Sequence, residues 1–257
     1  MSFTDGALNL LSDYVKKGAQ EKPNHIAFIH GENKITYEQL ARQVEKLACY
    51  LLKIGVAKGD RIAYLSVPRP EFFYLYMAAS RIGAIIVGIG TRQSDREIEY
   101  VLNNSEASYI FTLYSMYEFD YQERFAKILP VCPSVKGMVI FGGEARLSNA
   151  IAFDEIMEGD YSEYKDALLE REAQVSTDDG LIIVYTSGST GVPKGALMSH
   201  KNIIHMSLVE LGMCEANTDD IWINHLPVNH VSGATEVGAT AIVGNCTQVL
   251  EPFNPQK

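Results

Sequence analysis

YTSGSTGVPKG, residues 185–195, is the stretch on which the reading of this chain turns. The four residues before it, 181–184, form a short apolar run of the length and composition of a parallel strand. Inside it, three glycines and four Ser/Thr hydroxyls crowd around one lysine, Lys194. Glycines let backbone N–H groups approach an anion closely, hydroxyls add further donors, and the lysine supplies a point charge. These are the parts of a cradle for the phosphates of a nucleotide. A Walker A loop differs in its spacing. It sets Gly directly before Lys and Ser or Thr directly after it, so that a hydroxyl reaches magnesium at a helix start. Here Pro193 precedes Lys194 and Gly195 follows it, so the lysine does not open a helix in that manner. A plain Gly/Ser surface loop rarely joins an apolar strand, clustered hydroxyls and a Pro-Lys-Gly end.

Working outward, the chain alternates strand and helix patterns. Residues 26–29 and 34–36 flank Gly31-Glu32-Asn33 as a hairpin. Thr36 with Gln39 then forms a capping box, Leu40, Val44, Leu47 and Leu51 recur on one helix face, and Gly55 stands where a C-cap belongs. The pattern predicts a strand at 61–65, a helix at 70–81, a strand at 84–89, and a helix at 95–104 capped by Ser94 and Glu97. It continues through 109–112, 121–129 and 135–141. Residues 142–177 are polar, acidic and weakly periodic, and read as a boundary region with one short helix. Beyond the glycine-rich loop follow a helix at 201–211, a strand at 221–223, a small-residue helix at 231–242 and a strand at 247–250. Such alternation implies parallel sheets. The expected fold is α/β: two packed subdomains with largely parallel sheets flanked by helices, the first spanning 1–175 and the second, 176–257, carrying the phosphate loop. In such sheets ligands settle beyond the carboxyl ends of the strands, where the loop after Tyr185 lies.

Composition sets limits on function. The 257 residues are 47% hydrophobic and 21% charged, with a formal net charge of -10. That is ample for a core, and the acidity argues against a nucleic-acid partner, which recruits clustered Lys and Arg. Cys49, Cys132, Cys214 and Cys246 are widely spaced, with no zinc-like grouping, and suit a reducing compartment. The start, MSFTDGALNLLSDYVKK, carries Asp5 and Asp13 and reads as an amphipathic first helix instead of a signal peptide. No run reaches the ~18 apolar residues of a membrane span. A cytoplasmic protein is expected.

With these residues in view, Thr186-Ser187-Gly188-Ser189-Thr190-Gly191-Val192-Pro193-Lys194-Gly195 resembles the signature loop of the adenylate-forming superfamily, which acyl-CoA ligases share with carrier-protein adenylation domains; the segment around His230 tilts the resemblance to acyl-CoA ligases. GDRIAYLSVPRPEFFYLYMAASRIGAIIVGI (59–89) and REIEYVLNNSEASYIF (96–111) resemble further conserved blocks, so the resemblance covers essentially the whole chain. LPVNHVSG (226–233) resembles the proline-x-x-histidine segment that lines the acyl pocket. Taken alone, a histidine among apolar residues is more often a core residue. Pro227, Gly233 and the upstream loop favour a site at His230. Asn229 and Ser232 depart from the aromatic and apolar residues common there and make the inferred pocket mouth more polar. The other histidines show no metal-binding spacing and are read as structural or solvent-facing.

The resemblance implies activation of a carboxylic acid, in the fatty-acid class, by ATP with Mg2+ to an acyl-adenylate, followed by thioester formation with coenzyme A. It implies that Lys194 and His230 serve catalysis and that Thr186 to Gly191 with Pro193, Lys194 and Gly195 hold the nucleotide. Thr186 would meet magnesium, and His230, Val231 and Ser232 the acid. A homodimer is left open. The Tyr-x-x-Thr-Glu and Thr-Gly-Asp segments of the superfamily and its mobile C-terminal domain find no match. An N-terminal part of a longer ligase, itself inactive, is therefore expected. A carrier-protein adenylation domain, a non-catalytic nucleotide-binding half-protein, and, on the α/β pattern alone, a flavodoxin-like carrier remain alternatives.

Overall fold

The computed structural model describes residues 6–186 and 192–251. Helix α1 (Leu11–Glu21) leads into the antiparallel pair β1 (Ile26–His30) and β2 (Asn33–Thr36) and then α2 (Tyr37–Lys53). The expected capping box closes at the start of α2: Thr36 Oγ1 accepts from the Gln39 N–H, and Gln39 Oε1 from the Thr36 N–H. Gly55, with φ +81°, follows its last turn in the left-handed conformation that glycine adopts without strain. Next come β3 (Arg61–Leu65), α3 (Pro70–Ile82), β4 (Ile85–Ile89), α4 (Asp95–Ser105), β5 (Tyr109–Leu113), and a small hairpin of β6 (Ser115–Met116) and β7 (Phe119–Asp120). The middle of the chain adds α5 (Tyr121–Ile128), β8 (Gly137–Phe141), β9 (Ala150–Ala152), α6 (Phe153–Glu158) and α7 (Lys165–Glu172). It ends with β10 (Gly180–Thr186), β11 (Lys194–Ser199), α8 (His200–Met213), β12 (Ile221–Asn224), a π-helical segment (Ser232–Ala239), α9 (Thr240–Val243) and β13 (Thr247–Leu250).

Among the described residues the strands form two main sheets. The larger runs β11-β10-β4-β3-β5-β8-β9 and is parallel except where β11 turns back against β10. The smaller runs β12-β13-β1-β2, with only β2 antiparallel. Between them lies α3, mostly apolar and buried along nearly its whole length. Phe72 packs on Tyr64 of the large sheet (ring centroids 4.8 Å) and Phe73 on Phe28 of the small one (5.0 Å), so one helix joins both layers. The fold is mixed α/β with largely parallel sheets flanked by helices.

Four details depart from the sequence reading. Each sheet draws strands from both sides of residue 175: β10 pairs β4, and β13 pairs β1, so the expected boundary does not separate the sheets. Residues 142–177 hold more than one short helix. They carry β9 at the sheet edge, α6 and α7, each too short to show a period: α6 buries Phe153 and Ile156, α7 only Leu168. Lys194 and Gly195 open strand β11, which the glycine and its exposed residues concealed. The helix expected over 231–242 is π-helical through Ala239. All four cysteines are free thiols, and no described helix is long and apolar enough to cross a membrane.

Candidate active site

The carboxyl ends of β3, β4, β10 and β12 open on a common cavity of about 680 Å³. Ser66–Pro68 follow β3, Gly90–Gln93 follow β4, Tyr185 is the penultimate residue of β10, and His225–Pro227 follow β12; all lie on its wall with Asn229 and His230. Met116 and Tyr117, from the hairpin after β5, complete one side. The chain passes from β3 to β4 on one flank and returns to β5 on the other, so the cavity lies where strand order reverses. Its volume falls within the range of small-molecule sites, and its wall mixes apolar surface with a few polar groups.

On one side stands the β10–β11 hairpin. Thr186 pairs with Lys194 and Tyr185 with Gly195 in its ladder, and the Thr186 hydroxyl lies 3.5 Å from the Lys194 carbonyl. A Cβ at Gly195 would come 2.8 Å from Ile183 Cγ2 and 3.3 Å from the Tyr185 ring, so this strand position takes glycine. Helix α4 braces the hairpin. Tyr100 donates to the Pro193 carbonyl at 2.9 Å, Tyr185 donates to Asn104 Oδ1 at 2.6 Å, and the two rings meet edge to face at 6.3 Å. Burial, helped by Tyr100, raises the Tyr185 phenol above its ordinary pKa and keeps it a donor. Thr186, Lys194 and Gly195 are exposed and Pro193 half-buried, just past Tyr185 and off the cavity wall. Ser187, Gly188, Ser189, Thr190 and Gly191, expected to receive phosphates, lie outside the described residues.

His230 is exposed on the same cavity wall. Its N–H closes a turn on the Pro227 carbonyl at 3.1 Å, and its carbonyl accepts from Ala234 at 3.1 Å, starting the helical segment. Val231 and Ser232 follow in that first turn, off the cavity wall; the Val231 carbonyl accepts from the Thr235 hydroxyl at 2.6 Å. Inside the segment, buried amides from the small sheet bind its carbonyls: Asn224 donates to Gly233 at 3.0 Å and Gln248 to Gly238 at 3.1 Å.

Sequence reasoning placed His230 at the site and passed over His225, Arg92, Gln93 and Glu97, which also line the cavity. The available signal was position: each lies at or soon after a strand's carboxyl end. Glu97 caps α4, taking the Ser94 hydroxyl at 2.6 Å and its N–H at 2.7 Å, and these bonds lower its pKa. The described residues contain no group of three or more His, Cys, Asp or Glu able to hold a metal. Thr186 offers a single exposed hydroxyl, which suits a magnesium ion held chiefly by phosphate oxygens and water.

The family model of AMP-binding enzymes matches residues 15–257. The chain belongs to this family. It is 31% identical over 208 residues to a medium/long-chain-fatty-acid/3-oxocholest-4-en-26-oate CoA ligase of Mycobacterium marinum, covering 77% of this chain and 35% of that protein. It is 29% identical over 245 residues to an indoleacetate CoA ligase of Aromatoleum aromaticum, covering 94% of this chain and 45% of that one. The solved acetoacetyl-CoA synthetase of Streptomyces lividans shares the fold, with a TM-score of 0.80 at 21% identity over 95% of this chain and 38% of its own. The AMP-binding chain thus spans less than half the length of these curated relatives.

Proposed function

We propose that the chain is the ATP-receiving part of an AMP-forming acid–CoA ligase, acting on an apolar carboxylic acid of the fatty-acid class. The observation that carries this is the cavity at the strand ends, lined both by Tyr185, at the base of the Lys194 hairpin, and by His230. Family membership and the activities named for the relatives support the reaction class. An apolar wall of Val67, Pro68, Met116, Leu226 and Pro227 supports the apolar acid.

In this reading a carboxylate oxygen attacks the α-phosphorus of ATP, and the bond to pyrophosphate breaks with its electrons leaving on pyrophosphate. The sulfur of coenzyme A then attacks the acyl carbon, its proton is lost, and AMP leaves with the C–O bond electrons. Positioning and charge neutralisation carry such chemistry. Lys194 meets the departing pyrophosphate charge, Thr186 and residues 187–191 hold the phosphates, and His230 orients the carboxylate. The Thr186 hydroxyl would help to hold magnesium, which would supply neutralisation of phosphate charge. In this reading adenylation needs more than this chain, which spans less than half the length of the curated relatives it matches.

ATP–pyrophosphate exchange tests this with octanoate, palmitate, indoleacetate and crotonobetaine. The protein extended to its natural C-terminus exchanges with a fatty acid, and the 257-residue chain does not. Exchange by the isolated chain refutes its dependence on further segments, and silence of the extended protein across the panel refutes the activity.

A further inference from the structure

The segment that carries His230 is seated on the large sheet by two residues of adjacent strands, one in β3 and one in β4. Tyr64 of β3 and Gly88 of β4 are direct partners in the parallel register. Tyr64 is fully buried, and its hydroxyl donates to the Val228 carbonyl at 2.6 Å. Burial, with a smaller contribution from Tyr76, pushes this phenol well above its ordinary pKa, so it stays a donor. Gly88 supplies the space beside it. A Cβ there would come 2.9 Å from Asn229 Cα and 3.0 Å from the Tyr64 oxygen. The backbone of Asn229 therefore lies directly on β4, as glycine in a strand interior permits. Val228 is wholly buried, and two residues on His230 is exposed to the cavity.

We propose that Tyr64 and Gly88 are positioning residues for the acid-facing wall, fixing the height of residues 228–230 above the sheet and so the place of the His230 imidazole. What that wall receives rests on the function proposed above; the seating does not. Tyr64→Phe keeps the ring against Phe72 and leaves the Val228 carbonyl buried without its donor, which favours lifting the segment toward water. Gly88→Ala places a methyl group 2.9 Å from Asn229 Cα, closer than side-chain carbons approach, so that backbone must shift. Both changes move His230 away from the sheet. Tyr76 supplies the control: it is buried and its hydroxyl has no partner among the described residues, so Tyr76→Phe removes an oxygen and breaks no bond.

The experiment uses the 257-residue chain with ¹³C-labelled histidine, the His230 ring signal being assigned through His230→Gln. Affinities for AMP and for dodecanoyl-sulfamoyladenosine, a stable mimic of an acyl-adenylate, are measured alongside. Tyr64→Phe and Gly88→Ala are expected to shift the His230 signal, leave that of buried His200 in place, and weaken the acyl mimic about tenfold with AMP unchanged. Tyr76→Phe is expected to do none of these. An unshifted His230 signal in both variants, or His230 and His200 moving together, overturns the proposal. A wild-type chain without affinity for either nucleotide refutes its reading as the ATP-receiving part, while the ring signals still decide the seating.

Discussion

His200 opens α8 directly after the hairpin strand β11, and it is completely buried. Its Nδ1 accepts from the N–H of Leu11, at the start of α1, at 3.2 Å. The ring proton therefore sits on Nε2, which is buried with no partner among the described residues. A second proton would put a charge in the core and set an N–H against the Leu11 N–H. Burial lowers the pKa from 6.5 to about 4, against a smaller upward pull from Asp179. The group is neutral when folded and takes a proton more readily when unfolded. Its contribution to stability is therefore complete above the unfolded value of 6.5, falls as pH falls toward 4, and levels off below it. The gap of roughly 2.5 units corresponds to about 3 kcal/mol across that window. His200→Asn keeps an acceptor for Leu11 and does not titrate. Urea unfolding of both proteins from about pH 4 to 7.5 should show their stability difference changing by about 3 kcal/mol, with the native chain losing more on acidification. Parallel curves would refute the assignment of a neutral buried imidazole to this joint.

Two further substitutions probe separate links. Glu172 is bonded to Lys16 and, at 3.0 Å, to Arg81, whose side chain is only 8% exposed and whose other carboxylate, Glu45, stands 3.8 Å away. Burial raises the Glu172 pKa, but the bonds to Lys16 and Arg81 outweigh it and lower it overall. Glu172→Ala leaves the Arg81 charge nearly uncompensated and should cost about 3 kcal/mol in urea unfolding; a loss below about 1 kcal/mol would show that the pair contributes no more than a surface bridge. Lys194 is exposed on β11, so Lys194→Ala should leave the melting temperature unchanged. In the complete enzyme it should slow adenylation about 100-fold with less effect on thiol transfer, and equal slowing of both steps would refute its role at pyrophosphate.

Local signals made much of this fold legible. Thr36 with Gln39 and Ser94 with Glu97 mark helix starts through bonds made within four residues, and both boxes form. The apolar runs of β3, β4 and β5 declare themselves because parallel strands are buried on both faces. β11 escaped because it is an exposed edge strand whose ladder is set by β10, and β9 because three residues carry no period. The segments that carry Lys194 and His230 stood out as motifs, and the cavity wall includes His230. The roles of His225, Tyr64 and Gly88 were not legible in this way, since they follow from tertiary approach: a strand end, a 2.6 Å bond across 164 residues, and a missing side chain under Asn229. The sheets also join strands from opposite ends of the chain, a pairing that local pattern cannot express.

The central claim is that a carboxylate oxygen attacks the α-phosphorus of a nucleotide bound at this cavity. Turnover of the complete protein on a fatty acid labelled with ¹⁸O in its carboxylate, followed by mass spectrometry of the released AMP, tests it directly. The account predicts AMP carrying one labelled oxygen, left behind when the thiol takes the acyl group. Unlabelled AMP, or label appearing in inorganic phosphate beside ADP, would contradict it.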